Sequence, residues 1–508
     1  MPGMPFESPA PLVSINPVSQ TSITKGPADS THGRAIPHEL GLPKNLHLLG
    51  AGGAGVSGLA RILAERGFTI TGHDRADSEF TEQLRSLSIP IEFGESGSAS
   101  LPQSAQAVIH SAAIDAADPQ LTEASKRGIP SLRYGDALGR LTRAQRSVCV
   151  SGTHGKTTTS WMLFHALMGA MEAAGQEGVS FDRPGAIVGG VHPVLRASSA
   201  APVDNGWLVV EACEYDRTFL RLSAGSAIVT NVEADHIDYY RDISAVRDAF
   251  ARFVDSVSSA GIVVAGRDVS EAITSAASCP VLRLGVELKL DLVGEHLGRP
   301  HFKVRGPGWS TPVIELAVPG VFNAENAALA IGMAVGLAER EGIPSEAAAI
   351  CAARGLSRFR GVSRRFESWG IRRGIEAIHD YAHHPTELRA TLAAARRAYP
   401  GRPLHALFQP HQYSRTAHFF DEFVQALSGV DRLVLCDVYG ARVQIDEHVA
   451  DSAGLVEKLR ERGVNATHIP DCVEAAIELA RGVTAGAVVL VIGAGDVDQV
   501  RDELMDAL

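Results

Sequence analysis

From Leu46 onward, short apolar runs alternate with longer stretches in which apolar positions recur every three or four residues. Unbroken or alternating apolar runs bounded by glycine read as strands, and the 3.6-residue period reads as helix. Strands are predicted at 46–50, 69–73, 108–111, 148–150, 207–210, 227–230, 261–265, 404–408, 432–437 and 488–492. Helices fall between them, at 56–66, 161–166, 323–339 and 385–398. Such alternation builds parallel sheets covered by helices. The predicted fold class is α/β, with three Rossmann-like parallel-sheet domains. Apolar periodicity gives way to charge and glycine near 143–147 and 355–365. The expected layout is therefore a first domain over 45–145, a central domain over 146–357 and a C-terminal domain over 358–508. Residues 1–44 are rich in Pro, Ser, Thr and Gly without a sustained period, which predicts a disordered tail.

Composition narrows the function classes. A chain of 508 residues suits about three domains at roughly 150 residues each. With 47 basic and 58 acidic residues the net charge is −11, which argues against nucleic acid or an anionic membrane as a general partner. Anionic ligands must be captured by local basic sites. The six cysteines (149, 213, 279, 351, 436 and 472) stand singly, without C-x-x-C spacing. Reduced thiols in a cytoplasmic protein are the expectation. No apolar run approaches the ~20 residues of a membrane span, and the N-terminus lacks the basic and apolar regions of a signal peptide. No membrane insertion is expected, and oligomeric state is not legible.

Two glycine turns carry the first candidate chemistry. The strand at 148–150 runs into Gly152-Thr153-His154-Gly155-Lys156-Thr157-Thr158, and a helix follows. That order aims backbone N–H groups, a helix dipole and one ammonium at a polyphosphate, and leaves a hydroxyl for Mg²⁺. It is shorter than the common G-x-x-x-x-G-K-[ST] loop. The other turn follows the strand at 46–50 and contains Gly50, Gly52, Gly53, Gly55 and Ser57, with Asp74 ending the next strand. Alone it suggests a dinucleotide-dependent oxidoreductase, yet any nucleotide diphosphate suits such a turn, as does a strand–helix connection without ligand. Two phosphate cradles in succession suggest two nucleotides, one reacting and one serving as a handle.

Acids gather at predicted strand ends, where parallel sheets build their sites. Glu211, Glu214 and Asp216 follow one strand; Glu233, Asp235, His236 and Asp238 follow another. Hard oxygens beside a phosphate loop suit Mg²⁺, and a histidine can join a second ion. Glu211 and His236 read as functional, whereas Glu214 or Glu233 taken singly reads as a solvated loop acid. A zinc site is not expected. In the last block, Asp380, Tyr381, His383 and His384 open one strand–helix loop, and His411, Gln412 and Arg415 another. The histidines suit either metal ligation or a helix N-terminal turn, and Arg415 can pair with a carboxylate.

Eight collinear motifs, from "GAGGAGVSG" and "GTHGKTTT" through "EACEYD", "TNVEADHID", "FRGVSRRF", "DYAHHPTE" and "FQPHQYSRT" to "VIGAGD", resemble the Mur ligase family. The resemblance spans Leu46 to the C-terminus. It implies a UDP-sugar-binding domain, an ATPase domain and an amino-acid-binding domain. The implied reaction joins L-alanine to the carboxylate of UDP-N-acetylmuramate, with ATP and Mg²⁺, through an acyl phosphate. By the resemblance, Lys156 holds the β- and γ-phosphates, Thr157 and Glu211 bind one Mg²⁺, and His236 binds a second. Arg365, Asn326 and Asp380 meet ATP, and Tyr381, His383 and Arg415 meet the amino acid. Gly52, Gly53, Gly55 and Ser57 cradle the UDP diphosphate, with Asp74 near the uridine. Three departures stand out: Phe322 where the family carries histidine, Cys213 in place of an acid, and Gln412 in place of arginine. Alternative expectations are a family member that recycles a ready-made peptide, the oxidoreductase, and a non-catalytic nucleotide-binding scaffold.

Overall fold

Residues 40–95, 100–203, 205–236, 239–440 and 451–508 are described by the computed structural model of the protein. The expected tail up to residue 39, and Asp238, lie outside the described residues. The first sheet is fully parallel, in the order Ile91–Phe93, Thr69–Asp74, Asn45–Leu49, Ala107–His110, Ser131–Arg133. Strand order reverses at Asn45–Leu49, so the crevice beyond that strand's C-terminal end holds the glycine turn.

The second sheet has seven strands, ordered Val281–Arg283, Val263–Ala265, Ser226–Val229, Ser147–Ser151, Leu208–Glu211, Gly185–His192, Ala197–Ala200. All pairs are parallel except the last. Its central strand, Ser147–Ser151, is buried at every position, which is why it reads as a continuous apolar run rather than an alternation. The helix after it runs from Lys156 to Glu177, much longer than the predicted 161–166. A Cβ at Gly169 would lie 2.1 Å from the Cys351 carbonyl oxygen, so glycine there admits the helix Ser345–Leu356 at close approach.

Among the described residues one helix, Val321–Arg340, is long and apolar enough to cross a membrane, contrary to the sequence expectation. Yet 83% of its apolar window is buried inside the protein, and a helix packed on all sides is apolar all round. A four-stranded antiparallel sheet, Lys289–His296, Arg299–Gly306, Trp309–Ser310 and Ile314–Glu315, is an addition the sequence pattern did not announce.

The last sheet runs Glu367–Arg372, Ile375–Asp380, Val488–Ile492, Leu404–Phe408, Arg432–Leu435, Ala466–His468, and only its first strand is antiparallel. The predicted parallel-sheet α/β class holds, with antiparallel edges. Strands Ile375–Asp380 and Leu404–Phe408 both flank Val488–Ile492, which brings the loops after them side by side.

Candidate active site

The phosphate loop is shaped by two left-handed glycines. Gly152 has φ 142° and Gly155 φ 79°; a Cβ would lie 1.9 Å from Thr230 Oγ1 at the first and 2.9 Å from Asn326 Oδ1 at the second. Lys156 opens the helix, and its Nζ donates to the carbonyls of Gly152 (2.6 Å) and Thr153 (3.0 Å) and to Glu214 Oε1 (2.9 Å). Glu214 is 2% exposed, so the reading of it as a solvated loop acid is wrong. Burial opposes charge on both partners, but their pairing wins: the Lys156 ammonium is pushed up and the Glu214 carboxyl down. Thr157 Oγ1 donates to Glu211 Oε1 at 3.0 Å, and Glu211 Oε2 accepts from the Gly189 N–H at 2.6 Å. His236 Nε2 stands 3.5 Å from Glu214 Oε1. Cys213 is exposed.

A cavity of about 250 Å³ opens in front of this loop. His154, Gly155, Thr157 and Thr158 form one wall; Phe322 and Asn326, from the start of the helix Val321–Arg340, form another; Arg365 and Asp380 close it. Gly152, Thr153 and Lys156 do not line it. Asn326 Nδ2 donates to Asn323 Oδ1 at 3.4 Å. Asp380 Oδ2 accepts from Phe366 N and Oδ1 from Ala382 N, both at 2.8 Å, so the carboxylate pins the segment that carries Arg365. Burial pushes this carboxyl up. Arg365 lies over the Tyr381 ring, 4.9 Å from its centroid.

The sequence reading missed Glu387, the acid around which the closing wall is organised. Its Oε1 is 3.2 Å from His154 Nδ1 and 3.8 Å from Arg365, and its Oε2 accepts from His383 N at 3.0 Å. His154 Nε2 is 3.5 Å from Glu233 Oε2, which also accepts from Thr386 Oγ1 at 2.9 Å. Burial lowers the His154 pKa, but the two carboxylates more than offset it and raise it to about 9. Glu387 is held well below the usual carboxylate range: burial works against this, and His383 and His154 overcome it. The only trace of Glu387 in the sequence is its place three residues after His384, which caps the helix Pro385–Ala398 through a bond from Thr386 N to Nδ1 (3.3 Å). Of the two readings for the histidine pair, His384 fits the helix N-terminal turn. Even so, one donor atom each from His154, Glu233 and His384 lie within 4.8 Å of one another, a grouping able to hold a cation.

His383 Nδ1 donates to the Tyr381 carbonyl at 2.9 Å, and burial lowers its pKa to about 4. Arg415 does pair with a carboxylate, as expected of it. Its Nε and one terminal nitrogen donate to Asp235 Oδ1, and its other terminal nitrogen donates to the His411 carbonyl at 3.2 Å. In the first sheet's crevice, Asp74 Oδ2 accepts from Gly52 N at 2.7 Å. Gly53 precedes the helix without a side-chain cap, Ser57 Oγ donates to the Ala54 carbonyl, and a Cβ at Gly55 would lie 2.8 Å from the Tyr134 ring. The sequence-predicted residues thus form two clusters, Gly52 with Asp74 on the first sheet, and Lys156, Thr157, Glu211, Arg365 and Asp380 around the phosphate loop.

A glycine-built phosphate loop closed over by a second parallel-sheet layer defines a nucleotide-using α/β architecture. Three family models match in chain order: Mur ligase family, catalytic domain, over residues 45–146; Mur ligase middle domain over 150–334; and Mur ligase, glutamate ligase domain, over 364–495. The chain belongs to the Mur ligase family. It is 37% identical over 477 residues to a UDP-N-acetylmuramate–L-alanine ligase of Salinibacter ruber, covering 92% of this chain and 96% of that protein. A namesake from Chlorobium phaeobacteroides is 35% identical over 479 residues, covering 92% and 98%. The crystal structure of the UDP-N-acetylmuramate-alanine ligase of Thermotoga maritima shares the fold, with a TM-score of 0.72 at 24% identity over 91% of this chain and 98% of that one. A murein peptide ligase from Psychrobacter arcticus also shares it, with a TM-score of 0.64 at 20% identity over 92% and 98%.

Proposed function

We propose that this chain is an ATP-dependent ligase that joins L-alanine to the carboxylate of UDP-N-acetylmuramate in peptidoglycan precursor synthesis. The observation that carries the reading is the pairing of Lys156 with Glu214 and of Thr157 with Glu211 on the glycine loop, with Thr157 lining the cavity that Arg365 and Asp380 close. Names carried by relatives at 33–37% identity support alanine as the incoming amino acid. In this reading, residues 45–145 hold the UDP-sugar, with Gly52, Gly53, Gly55 and Ser57 at the diphosphate and Asp74 bracing the turn. Residues 146–357 hold ATP, and 358–508 hold the amino acid.

The muramate carboxylate attacks the γ-phosphorus of ATP, ADP departs, and an acyl phosphate results. The alanine amine then attacks the acyl carbon, and phosphate leaves from the tetrahedral intermediate. Bringing a carboxylate against a polyphosphate demands positioning and charge neutralisation above all. Lys156, aimed by Glu214 and the loop carbonyls, supplies one cation to the phosphates; Arg365 supplies another. The Thr157 hydroxyl and Glu211 carboxylate are hard oxygens in mutual contact and fit Mg²⁺, with His236 as ligand of a second ion. Bound there, Mg²⁺ would neutralise phosphate charge. Tyr381, His383 and Arg415 receive the amino acid. The closed wall of Arg365, Asp380 and Glu387 excludes water from the hydrolysable acyl phosphate.

The test is Lys156→Ala. Phosphate release from ATP should fall to background while calorimetry shows UDP-N-acetylmuramate binding nearly unchanged, since the two cradles lie on separate sheets. Loss of both together would refute the assignment of the glycine turns.

A further inference from the structure

Cys436 follows the strand Arg432–Leu435, and Cys472 is the first residue of the helix Cys472–Arg481. Backbone bonds from Ile469 N to Leu435 O (2.9 Å) and from Asp437 N to Pro470 O (3.1 Å) hold the two segments side by side. The two thiols are free, and Cys472 stands near enough to raise the Cys436 thiol. Cys436 is fully buried and Cys472 half-buried. Neither has a part in the chemistry above, yet both touch the loop that leads to it. Cys436 N donates to the Phe408 carbonyl at 3.0 Å. Gln409 Nε2 donates to Cys472 Sγ at 3.3 Å and to Asp496 Oδ1 at 2.7 Å, while its Oε1 accepts from Val497 N. Three residues past Cys436, Tyr439 donates from N to the Pro410 carbonyl (2.8 Å) and accepts from Gln412 N (2.9 Å). The thiol pair therefore braces the strand end that delivers His411 and Arg415.

We propose that Cys436 and Cys472 form a reversible redox pair whose disulfide restrains the segment 408–416 and lowers turnover. A peroxide is the oxidant. The half-buried Cys472 sulfur attacks a peroxide oxygen, the O–O bond breaks, and water leaves, giving a sulfenic acid. The Cys436 sulfur then attacks that sulfur; the S–O bond breaks, and hydroxide departs with the Cys436 proton as a second water. Two electrons pass to the peroxide and one S–S bond forms; a dithiol reverses the step. The neighbouring Cys472 thiol and burial both push the Cys436 thiol up, which favours its protonated form. Disulfide formation redirects the sulfur that Gln409 donates to, and so disturbs the Gln409–Asp496 brace at the end of the strand Leu404–Phe408.

The link to turnover rests on the ligase reading; the disulfide itself does not. The experiment treats the full chain with hydrogen peroxide, blocks residual thiols and maps peptides without reduction. The expected result is a peptide pair joined through Cys436 and Cys472, lighter by two hydrogens. A several-fold loss of ATP turnover should accompany it, be restored by dithiothreitol and be absent from Cys472→Ser and Cys436→Ser. Absence of the joined pair, a pair that leaves turnover unchanged, or equal loss in Cys472→Ser would each overturn the proposal. A chain inactive before oxidation that still forms the pair would count against the ligase reading and not against the disulfide.

Discussion

Arg415 donates from Nε (3.0 Å) and from a terminal nitrogen (2.9 Å) to a single oxygen of Asp235, across 180 residues of sequence. Both side chains are buried, at 3% and 7% exposure. The bond ties the helix Tyr413–His418 to the loop after the strand Ser226–Val229. It draws the proposed amino-acid site against the proposed ATP site. Burial opposes the Asp235 charge, and the Arg415 guanidinium overcomes it, holding the carboxyl below its ordinary range.

Removing one partner should therefore cost more than the pair contributes. Arg415→Ala leaves a buried carboxylate without its cation, at a cost of about 3–5 kcal/mol. Urea denaturation should register that loss, and turnover should fall with it. Replacing both residues by apolar ones of similar size should recover most of the stability and none of the activity. A stability loss below about 1 kcal/mol for Arg415→Ala, as exposed pairs give, would contradict the buried-clamp account.

The histidines of the closing wall set a pH window. The His154 pKa is raised from 6.5 to about 9, so the stabilisation it brings is complete below pH 6.5 and is lost as pH rises through about 9. His383 and His384 are lowered from 6.5 to about 4, chiefly by burial, so their effect has the opposite sign. It is complete above pH 6.5 and is lost as pH falls toward 4. Thermal midpoints should peak near pH 6.5, falling toward pH 9 on the alkaline side, where His154 loses its advantage, and toward pH 4 on the acid side, where His383 and His384 lose theirs. His154→Gln should flatten the alkaline decline specifically. An unaltered alkaline limb in that variant would show that the Glu233–His154–Glu387 bridge carries no such charge.

The two loop glycines should respond differently to a methyl group. At Gly152 a Cβ would lie 1.9 Å from Thr230 Oγ1 and 3.0 Å from the Thr230 backbone nitrogen, so Gly152→Ala should fold poorly. At Gly155 the obstacle is the Asn326 side chain at 2.9 Å, which can rotate, and the left-handed backbone adds about 1–2 kcal/mol. Gly155→Ala should fold, with ATP affinity reduced at least tenfold. Equal folding yields for the two variants would contradict this ranking.

Much of this was legible in the sequence, because the central strands are unbroken apolar runs and the phosphate loop is a contiguous string. Lys156 and Thr157 stand out within that string, and Glu211 as an acid at the end of a parallel strand. Glu214 was misjudged because its burial depends on Lys156, 58 residues away, and on Tyr240, whose hydroxyl donates to the Glu214 carbonyl at 2.7 Å. Glu387 escaped because its partners His154 and Arg365 belong to other segments, and local spacing reveals only its capping role. The antiparallel sheet at 289–315 was missed for another reason. Six of the eight residues of Lys289–His296 are exposed, one at the start and five in a consecutive run, so no two-residue alternation marks the strand, and two further strands are only two residues long.

The most direct measurement is phosphate release from ATP with Mg²⁺ and UDP-N-acetylmuramate, adding L-alanine, glycine, L-serine or the stem tripeptide in turn. Release should be strongest with L-alanine, with Gln412 tolerated beside Arg415. Release only with the tripeptide would make the chain a peptide-recycling ligase, and no release with any of them would contradict the ligase reading itself.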